Sequence, residues 1–282
     1  MDNPEPQFGE CVGRGDLNES GTCNASQDGL SIARCDIFDF IAYHVGKQVM
    51  HPGGLGATRR LAEACKIDPG SHVLDIACGR GTSAIYIANR YGCRVTGIDL
   101  STDLVAEANS LARRSGVPNR VSFKVGDATA LPSADGKFDV VMSQAILMLV
   151  TDANRVIKEA LRVVRPGGRY GALELTLSDD APASVVKAAQ SEISASCIEH
   201  ARTAKGWQER FIEAGGTVVD TLTGSMEEDF KTLLDNEGPK NAAKIMLRWV
   251  FNSRIRTRMD AMNRFFRDNN RYFGYGIYIN QA

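Results

Sequence analysis

The chain has 282 residues, 43% hydrophobic and 24% charged. That is enough to bury a sizeable core, and it excludes fibrous, collagen-like and wholly disordered classes. The 33 basic and 34 acidic residues leave a net charge of −1, so nothing in the whole-chain charge attracts nucleic acid. The polar, acidic opening MDNPEPQFGE is no secretion signal. No run reaches the ~18 apolar residues of a membrane helix. Both points lead to the expectation of a cytoplasmic protein. Seven cysteines without a C-x-x-C pair argue against a disulfide framework or a zinc site. Reduced thiols and no bound metal are expected.

Residues 1–29, rich in Gly, Asn, Ser and Asp, read as a flexible tail. A first helix is expected from Ser31, where Ile32, Ile37, Phe38, Phe40, Ile41 and Val45 recur at roughly helical spacing. His51-Pro-Gly-Gly54 breaks the chain in a rigid, exposed turn, and a second helix carries Leu61, Ala62 and Ala64. Strands and helices then alternate. Strands are expected at 72–76, 94–98, 121–125, 138–142 and 169–175, with helices at 82–91, 102–115 and from Asp152 to Val164. Repeated units of this length predict an α/β, Rossmann-like, doubly wound sheet. Further on, 182–204 and 207–214 read as helices and 217–222 as a strand. A long helical stretch, 226–268, is interrupted at Glu237-Gly-Pro239, and an aromatic strand closes the chain at 272–279. The expected organisation is one domain of residues 30–225 with 271–282. Residues 226–270 form a helical insertion that serves as an acceptor lid or dimer surface.

Ligands of open parallel sheets bind at the carboxyl ends of the strands, where strand order reverses. The first strand ends in Asp75-Ile-Ala-Cys-Gly79-Arg-Gly81. Its glycines let the backbone turn and approach a ligand, and the helix after it aims free N–H groups at the same place. The second strand ends at Asp99, followed by Leu100, and the third in Gly126-Asp127-Ala128. Asp99 suits the two hydroxyls of a ribose, Leu100 an adenine face, and Asp127 with Ala128 an adenine edge. Two cofactor classes compete. Gly79-x-Gly81-x-x-Ala84 also satisfies the dinucleotide fingerprint. Asp75 weighs against it, because an acid there would repel a pyrophosphate. It matches a ligand with a cationic amino acid part, as in S-adenosylmethionine.

In these segments the chain resembles the class I S-adenosylmethionine-dependent methyltransferases, and most the small-molecule branch of ubiquinone/menaquinone type. Val73–Gly81, Val95–Ser101, Gly126–Pro132, Phe138–Met142 and Leu161–Gly168 are similar to that family's motifs, in the same order. The resemblance implies a seven-stranded sheet ending in a reversed hairpin, here 217–222 and 272–279. It implies S-adenosylmethionine as cofactor, with Asp75, Gly79 and Gly81 at its methionine part and Asp99, Leu100, Asp127 and Ala128 at its nucleoside. The implied reaction is an in-line displacement at a sulfonium carbon, which chiefly requires alignment and exclusion of water. The partner is a small-molecule acceptor. The runners-up are an NAD(P)-linked oxidoreductase and a cofactor-binding but catalytically silent protein.

Catalytic candidates follow from position. Ser143 and Gln144 follow the fourth strand beside the expected methyl site; Ser143 is assigned to the cofactor and Gln144 to the acceptor. Glu174, near the end of the fifth strand, binds or deprotonates an acceptor, or faces solvent. His51 is a base or acceptor contact, or a turn histidine bonded to backbone. His72 and His200 read as structural, and Cys78 as a small buried residue. The segment 239–269 reads as one helix with eight cations against two acids. Its apolar side is expected to pack on the sheet or on a second copy in a homodimer; contact with an anionic membrane is the alternative.

Overall fold

The computed structural model describes residues 23–24, 31–32, 36–193, 195–226 and 230–282. Short apolar runs bounded by turn residues form strands β1 (His72–Ile76), β2 (Arg94–Asp99), β3 (Val121–Val125), β4 (Phe138–Gln144) and β5 (Val164–Leu177). They alternate with helices α2 (Thr82–Tyr91), α3 (Thr102–Arg114) and α4 (Ala153–Val163), and α1 (Gly54–Ala64) precedes them. Then come α5 (Ala183–Glu192), α6 (Ala204–Glu213), β6 (Thr217–Ser225), α7 (Phe230–Phe251), α8 (Ser253–Asp268) and β7 (Phe273–Gln281). The sheet order is β3-β2-β1-β4-β5-β7-β6. Strands β1 to β5 pair in parallel, and β7 runs antiparallel to both neighbours. A two-residue strand, Arg202–Thr203, pairs with the end of β5 and makes an eighth.

Both faces of the sheet are covered. On one, Leu74, Ile98, Val141 and Ala172 pack against α4 and α6 through Val156, Ile157, Trp207 and Phe211. On the other, Val73, Val95, Met142 and Leu173 pack against α1, α2 and α3 through Leu61, Ala84, Ile87 and Ala108. That double burial is why the central strands are nearly continuous apolar runs. Side chains fix the helix starts. Ser101 Oγ accepts from Leu104 N at 3.2 Å, and Asp152 Oδ1 from Arg155 N at 2.9 Å.

Several expectations are corrected. Ser31–Ile32 pairs with Cys23–Asn24 as a short antiparallel ladder. Helix begins at Asp36 and runs into a wider π-turn at Phe40–Val45. The rest of the expected tail lies outside the described residues. The helix expected over 182–204 stops at Glu192; a separate 3-10 turn follows at Ser196–His200, and Thr203 Oγ1 accepts from Gly206 N at 3.2 Å to start α6. The helix expected over 239–269 is two, since Asn252 is extended (φ −115°) and its side chain accepts from Ile255 N at 3.1 Å to cap α8. Uniformly reduced thiols were expected, yet Cys197 is disulfide-bonded. Such a bond depends on closeness in space, which sequence spacing does not report. Cys65, Cys78 and Cys93 are free and buried.

Candidate active site

Strand order reverses between β1 and β4, and backbone strain gathers there. Ala77, just after β1, and Ala145, just after β4, both sit at φ 56°, where a side chain is disfavoured. Gly79 (φ 53°) and Gly81 (φ 75°) continue the turn after β1. A Cβ on Gly81 would fall 2.5 Å from Phe123 Cζ, so glycine is required. A Cβ on Gly79 would meet nothing nearer than Met50 Cε at 3.9 Å. The space over Gly79 is therefore open, with Met50 of the 46–53 segment across it.

Two carboxylates meet at this turn. Asp99 Oδ2 accepts from Gly79 N at 2.8 Å and Oδ1 from Ser101 N at 3.0 Å, which ties the ends of β1 and β2 together. Asp75 is 2% exposed, and its Oδ2 is buried without a partner. Burial, then the neighbouring Asp99, lifts the Asp75 carboxyl to about 7. An unpartnered carboxylate oxygen beside a second acid and an open glycine turn fits the cationic end of an amino acid ligand. Leu100 lies exposed next to Asp99. Asp127 Oδ1 accepts from the backbone and hydroxyl of Thr129 at 2.8 and 2.9 Å, and Ala128 is half-buried.

Over the glycine turn lies a second, neutral polar group. His51 Nδ1 is 3.3 Å from Pro52 O, which can only accept, so Nδ1 carries the proton. Nε2 then presents its lone pair between Ser83 Oγ at 3.2 Å and Thr58 Oγ1 at 3.1 Å. The single Thr58 proton goes to Gln144 Oε1 at 2.8 Å, which leaves Ser83 as donor to the ring. Burial first, against a weaker gain from Pro52, pushes the imidazole down to about 4. It is neutral at physiological pH. The sequence named His51 and Gln144 but not Thr58 or Ser83. Thr58 had a signal: it is the polar member of the buried face of α1 formed by Ala57, Thr58, Leu61 and Ala62.

The His51 segment is held from above by α7. Glu237 accepts from Gln48 N at 2.8 Å and from Val49 N at 3.3 Å. Asn241 Nδ2 donates to Glu237 Oε2 at 2.6 Å and to Gly46 O at 3.0 Å. Asn236 Oδ1 accepts from Leu55 N at 2.8 Å, and Arg248 donates to Val45 O at 2.9 Å. The left-handed Gly238 (φ 70°) turns the chain just after this pair of acceptors.

The structure does not bring two predicted side chains into the cleft. Ser143 is fully buried on the opposite face of β4 from Gln144, and its hydroxyl lies 2.9 Å from Tyr170 OH. Strand alternation sends neighbours to opposite faces, so both could not line one site. Glu174 is also fully buried and does not face solvent. Its Oε1 accepts from Ile146 N at 3.2 Å and Leu147 N at 3.0 Å. Burial pushes this carboxyl up to about 8 against those donors. It holds the strained turn after Gln144 from below. His72 bonds Thr96 Oγ1 at 3.0 Å and packs on Phe138. A separate cavity of about 200 Å³, lined by His200, Arg202, Trp207 and Arg210 among others, shares no residue with the cleft.

Residues 73–168 match the family described as a methyltransferase domain. An uncharacterized protein of Haemophilus influenzae is 31% identical over 71% of this chain and 77% of its own. The 27-O-demethylrifamycin SV methyltransferase of Amycolatopsis mediterranei is 43% identical over 40% of this chain and 41% of its own. The chain thus spans less than half the length of that characterised relative. Among solved structures, a SAM-dependent methyltransferase from Geobacter sulfurreducens with S-adenosylhomocysteine has the same fold. Its TM-score is 0.66 at 21% identity, over 89% of this chain and 99% of that one.

Proposed function

The chain belongs to the class I S-adenosylmethionine-dependent methyltransferases, and on that premise we propose that it methylates a small organic acceptor held between the glycine turn and His51. The observation that carries the reading is the buried, unpartnered Asp75 Oδ2 beside the open space over Gly79. It supports a cationic amino acid ligand and disfavours the pyrophosphate of a dinucleotide. When bound, S-adenosylmethionine supplies a methyl group already activated on a sulfonium. Asp75 and the glycine turn hold its methionine part, Asp99 its ribose, Leu100 its adenine face, and Asp127 with Ala128 its adenine edge.

The protein's own work is alignment, dryness and proton removal. Met50 closes the space over Gly79 against water. Gln144, held by the buried Thr58, orients the acceptor. The neutral His51 Nε2 exchanges its bond from Ser83 for an acceptor hydroxyl or amine and takes its proton as the acceptor atom is methylated. Ser143 and Glu174 act from behind the site, one bonded to Tyr170 and the other supporting the turn that carries Gln144.

Calorimetry separates the cofactor classes. Micromolar binding of S-adenosylhomocysteine and none of NAD is expected; the reverse would discard the reading. Asp99→Ala is expected to weaken that binding at least ~tenfold, the loss of a charged hydrogen bond. His51→Ala is expected to lower kcat by roughly a hundredfold or more with cofactor affinity intact. Unchanged turnover would reduce His51 to a turn residue. A protein that binds cofactor yet turns over no acceptor in a broad small-molecule screen would be the silent partner instead.

A further inference from the structure

The strongest unpartnered surface is the far end of the α7–α8 hairpin. Met246, Leu247, Trp249, Val250 and Phe251 are exposed there, Phe251 at 80%. Met246, Trp249 and Val250 lie three and four residues apart, as do Leu247, Val250 and Phe251, so they form one continuous surface on α7. Scattered exposed apolar residues are ordinary, but five within six positions are not. Asp260 Oδ1 accepts from Trp249 Nε1 at 2.9 Å, but the charge around the patch is predominantly positive. Residues 238–259 contain Lys240, Lys244, Arg248, Arg254, Arg256 and Arg258 and no acid. Arg258 stacks on Phe40, and Arg248, within the tip itself, reaches Val45 O, so these two cations hold one side of the hairpin to the body. Lys240 and Lys244 are exposed beside the apolar surface.

We propose that this tip docks on an anionic lipid surface, with Leu247, Val250 and Phe251 entering the headgroup boundary and the lysines and arginines facing lipid phosphates. Charge complementarity decides the occupant. A symmetric contact between two copies would set the patch against itself, Lys240, Lys244, Arg254 and Arg256 of one copy facing those of the other. Nucleic acid would pair the cations but leave the aliphatic side chains without a partner. An anionic bilayer satisfies both, with Trp249 at the boundary where indoles concentrate. Among the described residues no helix is long and apolar enough to cross a membrane, so the contact is peripheral. The proposal is independent of the methyl-transfer reading.

The chain carries its own reporter. It has two tryptophans; Trp207 is 1% exposed and Trp249 38%, so a change in fluorescence on adding vesicles reports the tip. With phosphatidylcholine–phosphatidylglycerol vesicles, a blue shift and co-sedimentation are expected, both reversed by salt. Pure phosphatidylcholine should give little of either. The pair Leu247→Glu with Phe251→Glu should weaken partitioning at least ~tenfold. S-adenosylhomocysteine calorimetry should be unchanged in it, which checks the fold and keeps the two readings apart. If that pair folds poorly, Lys240→Glu with Lys244→Glu should do the same. No shift and no co-sedimentation with anionic vesicles would overturn the proposal. So would binding to a duplex oligonucleotide that outlasts the loss of Leu247 and Phe251, or a dimer in sedimentation that those substitutions abolish.

Discussion

Asp75 is one carboxyl that sees two environments. In the chain alone, burial and Asp99 hold it near 7; a sulfonium and an ammonium beside it would favour the carboxylate. Cofactor binding near pH 7 is therefore expected to release a proton. Calorimetric enthalpies should then differ between buffers of unlike ionisation heat, and Asp75→Asn should erase that difference while weakening binding. A buffer-independent enthalpy in the natural protein would place the cations elsewhere. Asp75, Asp99 and the glycines were legible in the sequence, because a strand-end acid followed by left-handed glycines is a local pattern. Ser83 was not, and Thr58 showed only as a polar residue on the apolar face of α1, because their meaning comes from His51 and Gln144, which reach them only in the folded chain. Ser143 and Glu174 misled for a related reason. Position after a strand says how close a residue is to the site, and the pleat decides which face it takes.

At the scale of elements, the informative contact joins α7 to the 46–53 segment. Glu237 acts through that segment and is a positioning residue. Glu237→Ala is expected to speed hydrogen exchange at Gln48 and Val49 and to raise the acceptor KM more than it weakens S-adenosylhomocysteine. A purely structural role would lower thermal stability and leave those two ratios unchanged. The break at Asn252 makes a separate prediction. Asn252→Ala removes the cap of α8 and should lower stability by about 1 kcal/mol in denaturant titration, without altering cofactor affinity. The strand and helix series from 72 to 177 was readable from periodicity and punctuation. The C-terminal helices were located and their interruption at 237–239 matches the non-helical Gly238, but the division at Asn252 was missed. Asn252 is neither Gly nor Pro, and its effect lies in one side-chain hydrogen bond that no spacing announces.

For the whole molecule, buried acids set how stability follows pH. Asp75 and Glu174 are raised from ordinary values near 4 to about 7 and about 8. Between those limits the folded chain binds more protons than the unfolded one, so stability is lost as pH rises. His51, lowered from 6.5 to about 4, acts oppositely: its contribution is lost as pH falls below 6.5. The two acids act in the window from 6.5 to 8, where the Tm of the cofactor-free protein is expected to fall. Glu174→Gln should flatten that slope, and a rising Tm would contradict the placement of both carboxyls. The order of the sheet has a consequence for synthesis. The last strand, β7, lies between β5 and β6, so on the ribosome both wait for a neighbour that is made about a hundred residues after β5. A chain interrupted before Phe273 would keep the glycine turn and every predicted cofactor contact. It would nonetheless present two open strand edges to other nascent chains. Its fate would be decided by chaperones and aggregation long before chemistry.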